Sequence, residues 1–230
     1  MRLDKYLAQS TGFSRKEVRR FMKAGEVIVN DEEANNPAQH ISEDDEVYLS
    51  GYPVEGPGDK YLMLHKPLGC VCSNDDGTHP TVLSLIDLPR AEELTICGRL
   101  DVDTTGLVLI TNDGKWAHRV TSPKHKTGKL YQVVTADPIP QDAVEKFEKG
   151  LMLINDKDRT KPAQLTIIAE NEAEVILTEG RYHQVKRMFA AIGNKVEELH
   201  RQRIGDIELD EDLEPGEYRF LTEEEINSIK

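Results

Sequence analysis

A chain of 230 residues, 38% hydrophobic and 31% charged, can bury a real core and make one domain of ordinary size with a smaller one beside it. No apolar run approaches the ~20 residues of a membrane span, MRLDKYLAQS lacks the apolar core and cleavage site of a secretory signal, and three cysteines build no disulfide framework. A cytoplasmic protein without a membrane partner is expected. The net charge of −13 argues at first against nucleic acid, but residues 1–24 carry seven cations against two acids and residues 206–226 ten acids against Arg219 alone. Such polarity points to a basic binding face.

In FSRKEVRRFMKAGEV, Ser14 is a good N-cap and Glu17, three residues on, completes a capping box. Phe13 and Val18 take the hydrophobic-staple positions, and Gly25 is placed to stop the helix. Val18, Phe21 and Met22 make a short apolar stripe, which leaves Arg15, Lys16, Arg19, Arg20 and Lys23 on other faces. A cation-rich helix is commonly a solvated surface; five cations against one acid in an acidic chain favour RNA binding. EVIVN and DEVYLSG then read as short strands around the turn NDEEANN, closing a small module over residues 1–50. GYPVEGPGDK, with two prolines and three glycines, predicts a linker over 51–60 and a second domain over 61–230.

Beyond the linker, YLMLH, LVLIT, LYQVV, LTIIA and EVILT read as strands. DAVEKFEK before Gly150, HQVKRMFAAI before Gly193 and EEEINSIK after the cap Thr222 read as helices. Strands dominate and do not alternate regularly with helices, which predicts an α+β domain with a mixed or antiparallel sheet flanked by helices. Cys70-Val71-Cys72 has no second pair to complete a metal site and reads as a strand carrying small hydrophobes. No metal is expected.

The segment GRLDVDTTGLVLITNDG (98–114) supports two readings. Asp101, Asp103 and Thr105 match the DxDxT pattern of haloacid-dehalogenase-type phosphatases, and GDIELD (205–210) resembles that family's magnesium-binding acids. That chemistry needs the first aspartate at the end of a buried strand, whereas here CGRL precedes it and the apolar run LVLIT follows. The whole segment resembles the central motif of RNA pseudouridine synthases, in the RsuA branch that modifies small-subunit ribosomal RNA. HKPLGCVCS (65–73), KLYQV (129–133) and EGRYHQVKRMF (179–189) follow that family's other motifs in the same order, and the N-terminal segment is similar to an RNA-binding module shared with a small-subunit ribosomal protein.

The resemblance implies isomerisation of a uridine to pseudouridine in 16S rRNA without cofactor, on free rRNA or an assembling small subunit. Asp101 is then the catalytic aspartate, opening the reaction by attack on the anomeric carbon or by removing a ribose proton to form a glycal. Asp103 shapes the loop by capping backbone amides. Lys186 supplies the cation for Asp101, with Arg187 as the alternative. Tyr131 stacks on the uracil and assists removal of the proton from carbon five. Arg99 either contacts phosphate and holds the flipped nucleotide or makes a surface ion pair. Arg181, His183 and Arg187 are candidate RNA contacts, a structural bond being the other reading for His183 and Gln184; Lys66 and Pro67 form a turn that supports the pocket and offers a phosphate contact. Lys115, Arg119, Lys124, Lys126 and Lys129 fall in a stretch without any acid, a second basic patch. Large-subunit rRNA as substrate, a magnesium-dependent phosphatase and a non-catalytic RNA-binding assembly factor are the competing readings. A monomer is expected.

Overall fold

The computed structural model describes residues 1–42, 44–122 and 127–230, and its chain divides into two units, Met1–Asp59 with Asp87–Glu92 and Lys60–Ile86 with Glu93–Lys230. A helix that the sequence patterns did not announce opens the first unit: α1 (Leu3–Thr11) buries Leu3, Tyr6, Leu7 and Ala8. Its polar anchor is Asp4, fully buried and ion-paired with Arg2 at 3.0 Å and Arg19 at 3.3 Å. Burial alone would raise the Asp4 carboxyl, but the two guanidinium hydrogen bonds outweigh it and hold the group below the usual carboxylate range. Helix α2 (Arg15–Lys23) starts on the expected capping box, in which Glu17 N–H donates to Ser14 Oγ and Ser14 N–H to the Glu17 carboxylate. Gly25, at φ 74°, turns the chain out of it. The Phe13 ring meets Phe21, with centroids 5.0 Å apart, while its expected staple partner Val18 belongs to the core.

Strands β1 (Val27–Val29), β2 (Glu32–Glu33), β3 (Val47–Leu49) and β4 (Tyr52–Pro53) form an antiparallel sheet in the order β2-β1-β3-β4. Asn30 and Asp31, both at positive φ, make the two-residue hairpin turn inside NDEEANN. β4 corrects the expected linker. Tyr52 and Pro53 pair with β3, Val54 packs on the module's core, and Tyr6 donates from its hydroxyl to the Val54 carbonyl at 3.0 Å. The division between the units falls after Asp59.

In the second unit the strands are β5 (Tyr61–Lys66), β6 (Thr95–Cys97), β7 (Thr105–Thr111), β8 (Lys129–Thr135), β9 (Gln164–Ala169), β10 (Glu172–Leu177), β11 (Val196–Ile204), β12 (Ile207–Glu208) and β13 (Tyr218–Phe220). Among the described residues they form one sheet in the order β13-β5-β7-β11-β8-β10-β9, with β6 on β7 and β12 on β11. Every pairing is antiparallel except β7 with β11, so the sheet is mixed and the unit α+β, as expected. Helices α3 (Gly114–Thr121), α4 (Ala143–Glu148), α5 (Gln184–Ala191) and α6 (Glu223–Ser228) flank it. One core joins Phe147, Phe189 and Met188 to β8, β9 and β10; a second joins Trp116 to β5, β7 and Ile229. Cys70 and Cys72 are buried as small hydrophobes, but only Val71 makes a bridge, to Thr81, so this segment is not the strand expected.

Candidate active site

The parallel pair β7 and β11 sets the site. Gly106 lies beside Arg201 in their register, and a Cβ on Gly106 would come within 2.3 Å of the Arg201 carbonyl, so glycine alone allows this approach. The Arg201 side chain, 1% exposed, lies across that gap. Its Nε donates to the Leu107 carbonyl at 2.8 Å, Nη2 to Gly98 at 3.0 Å and Nη1 to Arg99 at 3.5 Å. One guanidinium therefore ties both ends of the loop that carries Asp101. Lys66, also fully buried, donates to the Thr104 carbonyl at 2.7 Å and to Pro67 at 3.0 Å, and burial lowers the pKa of its ammonium. Lys66 thus holds the loop from the end of β5, where a turn was expected, and its burial leaves no ammonium facing solvent for the expected phosphate contact. Leu100 N–H donates to Cys72 Sγ and Gly69 N–H to the Val102 carbonyl, so the loop is held along its length.

Opposite this loop, α5 begins at His183, whose φ of 47° is a left-handed conformation uncommon outside glycine. It sets His183 Nε2 3.4 Å from the Asp101 carboxylate, and Lys186, in the first turn of α5, brings Nζ to 3.6 Å from Asp101 and 2.5 Å from Asp103. Asp103, expected to cap amides, is instead the nearer partner of Lys186, whose hydrogen bond holds the Asp103 carboxyl below its usual range. Arg187 points elsewhere: Nη2 reaches Asp156 at 2.5 Å and the Ile154 carbonyl at 2.7 Å, and Nη1 the Tyr182 carbonyl at 3.2 Å. Arg181 pairs with the same Asp156 at 2.8 Å and with Glu179 at 3.3 Å. These internal partners take up the guanidinium groups of Arg181 and Arg187, where RNA contacts were expected, and hold Asp156 below the ordinary carboxylate range. Gln184 is buried and structural, accepting from Arg181 N–H and donating to Glu179.

Tyr131 on β8 stands opposite Arg201, which stands opposite Gly106, so one row of the sheet links the tyrosine to the strand that follows the Asp101 loop. Arg99 is exposed and lines an open cleft of about 330 Å³ with Ser73, Asn74 and Thr95. On α2, Arg15, Lys16, Arg20 and Lys23 are exposed, and Arg19 shares its guanidinium with Asp4. Lys115 and Arg119 lie on α3, the former exposed. Lys124 and Lys126 lie outside the described residues. Lys129 is drawn in: burial, aided by Arg201, pushes its ammonium down to about 8. Arg201 and Asp156 carry much of the site's geometry, and neither is marked in the sequence by a motif.

The later members of the phosphatase pattern are taken up by other partners. Thr105 Oγ1 bonds His200 Nδ1 at 2.8 Å, and Asp210 pairs with Arg219 at 2.6 Å. Among the described residues no three His, Cys, Asp or Glu side chains are grouped to hold a metal ion, and no helix is long and apolar enough to cross a membrane.

Residues 60–191 match the family described as RNA pseudouridylate synthase, and residues 1–47 match the S4 domain. The chain is 56% identical over 231 residues to the ribosomal small subunit pseudouridine synthase A of Vibrio vulnificus, spanning all of this chain and 99% of that one. It is 52% identical over 230 residues to the protein of the same name from Escherichia coli, spanning both completely. A crystal structure of a pseudouridylate synthase superposes with a TM-score of 0.73 at 47% identity, again over the whole of both chains.

Proposed function

The chain belongs to the RNA pseudouridylate synthase family, and from that premise we propose that Asp101 opens the isomerisation of a uridine in 16S rRNA. The protein is an RNA pseudouridine synthase acting on small-subunit ribosomal RNA. In the reaction the bond between uracil N1 and ribose C1′ breaks, the ring turns in the pocket, C5 bonds to C1′, the C5 proton leaves and N1 takes up a proton, so substrate and product contain the same atoms.

The observation that carries the assignment is the convergence of an ammonium and an imidazole on one half-buried carboxylate, Lys186 at 3.6 Å and His183 at 3.4 Å from Asp101. A carboxylate flanked by two side chains on one short helical turn can approach the anomeric carbon, or a ribose proton, without searching rotamers. Lys186 supplies the counter-charge, Arg201 and Lys66 fix the loop, and Tyr131 stacks on the uracil and assists loss of the C5 proton. The exposed cations of α2, with Lys115, Arg119 and Arg99, hold the phosphate backbone. Support for an extended RNA contact comes from the S4 match over residues 1–47. The substrate is free 16S rRNA or the assembling small subunit, and the working compartment is the cytoplasm.

Tritium release from 16S rRNA labelled at uridine C5 tests this reading. Release is expected to saturate near one per RNA, with Asp101→Asn losing at least about 1000-fold in kcat while binding RNA with near wild-type affinity. No release from free RNA or from assembling particles overturns the 16S assignment.

A further inference from the structure

We propose that the face of Tyr182 is a stacking platform for the base adjoining the target uridine; this rests on the reading of the chain as a uridine-modifying enzyme. Tyr182 is 77% exposed, and its ring stacks on His183 with centroids 3.7 Å apart and planes 22° from parallel. His183 in turn stands 3.4 Å from Asp101, so the tyrosine ring is one ring removed from the reacting carboxylate.

The ring is held there by its backbone. Arg187 donates to the carbonyls of Tyr182 and Ile154, and the same guanidinium is locked by Asp156, which also holds Arg181. The backbones of Tyr182 and Ile154, two residues whose side chains are exposed to water, are thereby tied to one guanidinium, Ile154 being 79% exposed. An aromatic ring presented to solvent, stacked on the side chain that stands beside the reacting carboxylate and backed by a left-handed residue, forms a built surface. RNA bases meet such surfaces by stacking, which tolerates any base because each has a π-face. The chemistry of the reaction supplies the occupant. A uridine turned out of its stack leaves its neighbour with an uncovered face, and Tyr182 covers it with the face of its ring turned away from His183.

The test uses the full chain and the same tritium-release assay. Tyr182→Ala is expected to raise KM for the RNA about tenfold, in the range of one lost base stack, with kcat within about twofold. Tyr182→Phe, which keeps the ring, restores the wild-type KM. Tyr182→Trp places an exposed indole in a chain whose one native tryptophan, Trp116, is buried, and its emission is quenched on stoichiometric addition of 16S rRNA. An unchanged KM in Tyr182→Ala, or unquenched emission with RNA bound, overturns the platform. A fall in kcat at unchanged KM also overturns it and assigns the ring to the alignment of His183. Wild-type protein that releases no tritium overturns the enzyme reading itself, so the two failures are told apart by the wild-type control.

Discussion

Lys186 stands between two carboxylates, 2.5 Å from Asp103 and 3.6 Å from Asp101, so its charge is shared before substrate arrives. Asp103 is mostly exposed, and an exposed pair contributes little to stability; its value lies in where it parks the ammonium. Lys186→Met is expected to lower kcat about 100-fold with KM nearly unchanged, because the charge acts on Asp101 and not on the RNA backbone. Asp103→Asn is expected to cost less than about tenfold, since Lys186 stays within reach of Asp101. The Asp103 carboxyl is held below its usual range by Lys186, so the ion pair is intact above about pH 4 and is lost as pH falls through the lowered value. A kcat–pH profile measured from pH 5 to 9 should therefore keep its shape in Asp103→Asn. The choice between Lys186 and Arg187 was not legible in the residue types. Adjacent helical residues point about 100° apart, and the entry of the chain at His183 decides which of the two faces Asp101 and which faces Asp156.

At the level of elements, the capping box of Ser14 with Glu17 and the cap Thr222 were readable because each is local, and in the structure Glu225 completes a second box at Thr222. The central strand β11 was not readable. VEELHRQRI buries Leu199, Arg201 and Ile204, with a bulge between Arg201 and Arg203 that breaks the alternation, and its middle buried position is an arginine. The buried charge is tolerated because three carbonyls receive it, and those carbonyls belong to the ends of the catalytic loop. Arg201→Met removes all three donors and is expected to cost at least about 1–3 kcal/mol, the penalty of leaving buried carbonyls unsatisfied. Arg201→Lys, with a single ammonium, should fold and lose kcat far more than KM, a split readable in steady-state kinetics. A second element-scale test concerns α1, which the sequence hid behind Asp4 and Lys5. Asp4→Asn weakens the tie to Arg19 on α2 by about 1–3 kcal/mol, seen as faster amide exchange over residues 3–11. Because the folded Asp4 pKa is lowered, this stabilisation is present above the unfolded value near 3.9 and disappears as pH falls through the folded value. Exchange in wild type and mutant should converge in that acidic window.

Over the whole molecule, a net charge of −13 repels a polyanion, so affinity for RNA must come from local cations that overcome the general field. The polarity was legible in the sequence, while the boundary near residue 50 was not: prolines and glycines mark Tyr52–Val54 as a connector, yet a two-residue pairing and the Tyr6 hydroxyl bring it into the small module's fold. Attraction confined to patches is short-ranged, because at physiological ionic strength charges are screened over about 8 Å. Salt should therefore weaken binding steeply. The exposed Arg15, Lys16, Arg20 and Lys23 of α2 form such a patch, whereas Arg19 is partly spent on Asp4 and Lys129 is drawn inward. If each of the four neutralises one phosphate, replacing them together by glutamine reduces the slope of log K against log salt by about 3 at ~0.7 per contact on single-stranded RNA. The loss should appear equally on every RNA sequence tested, because phosphate contacts position the substrate without reading bases. A slope unchanged in the quadruple variant would move the anchoring role from α2 to Arg99, Lys115 and Arg119.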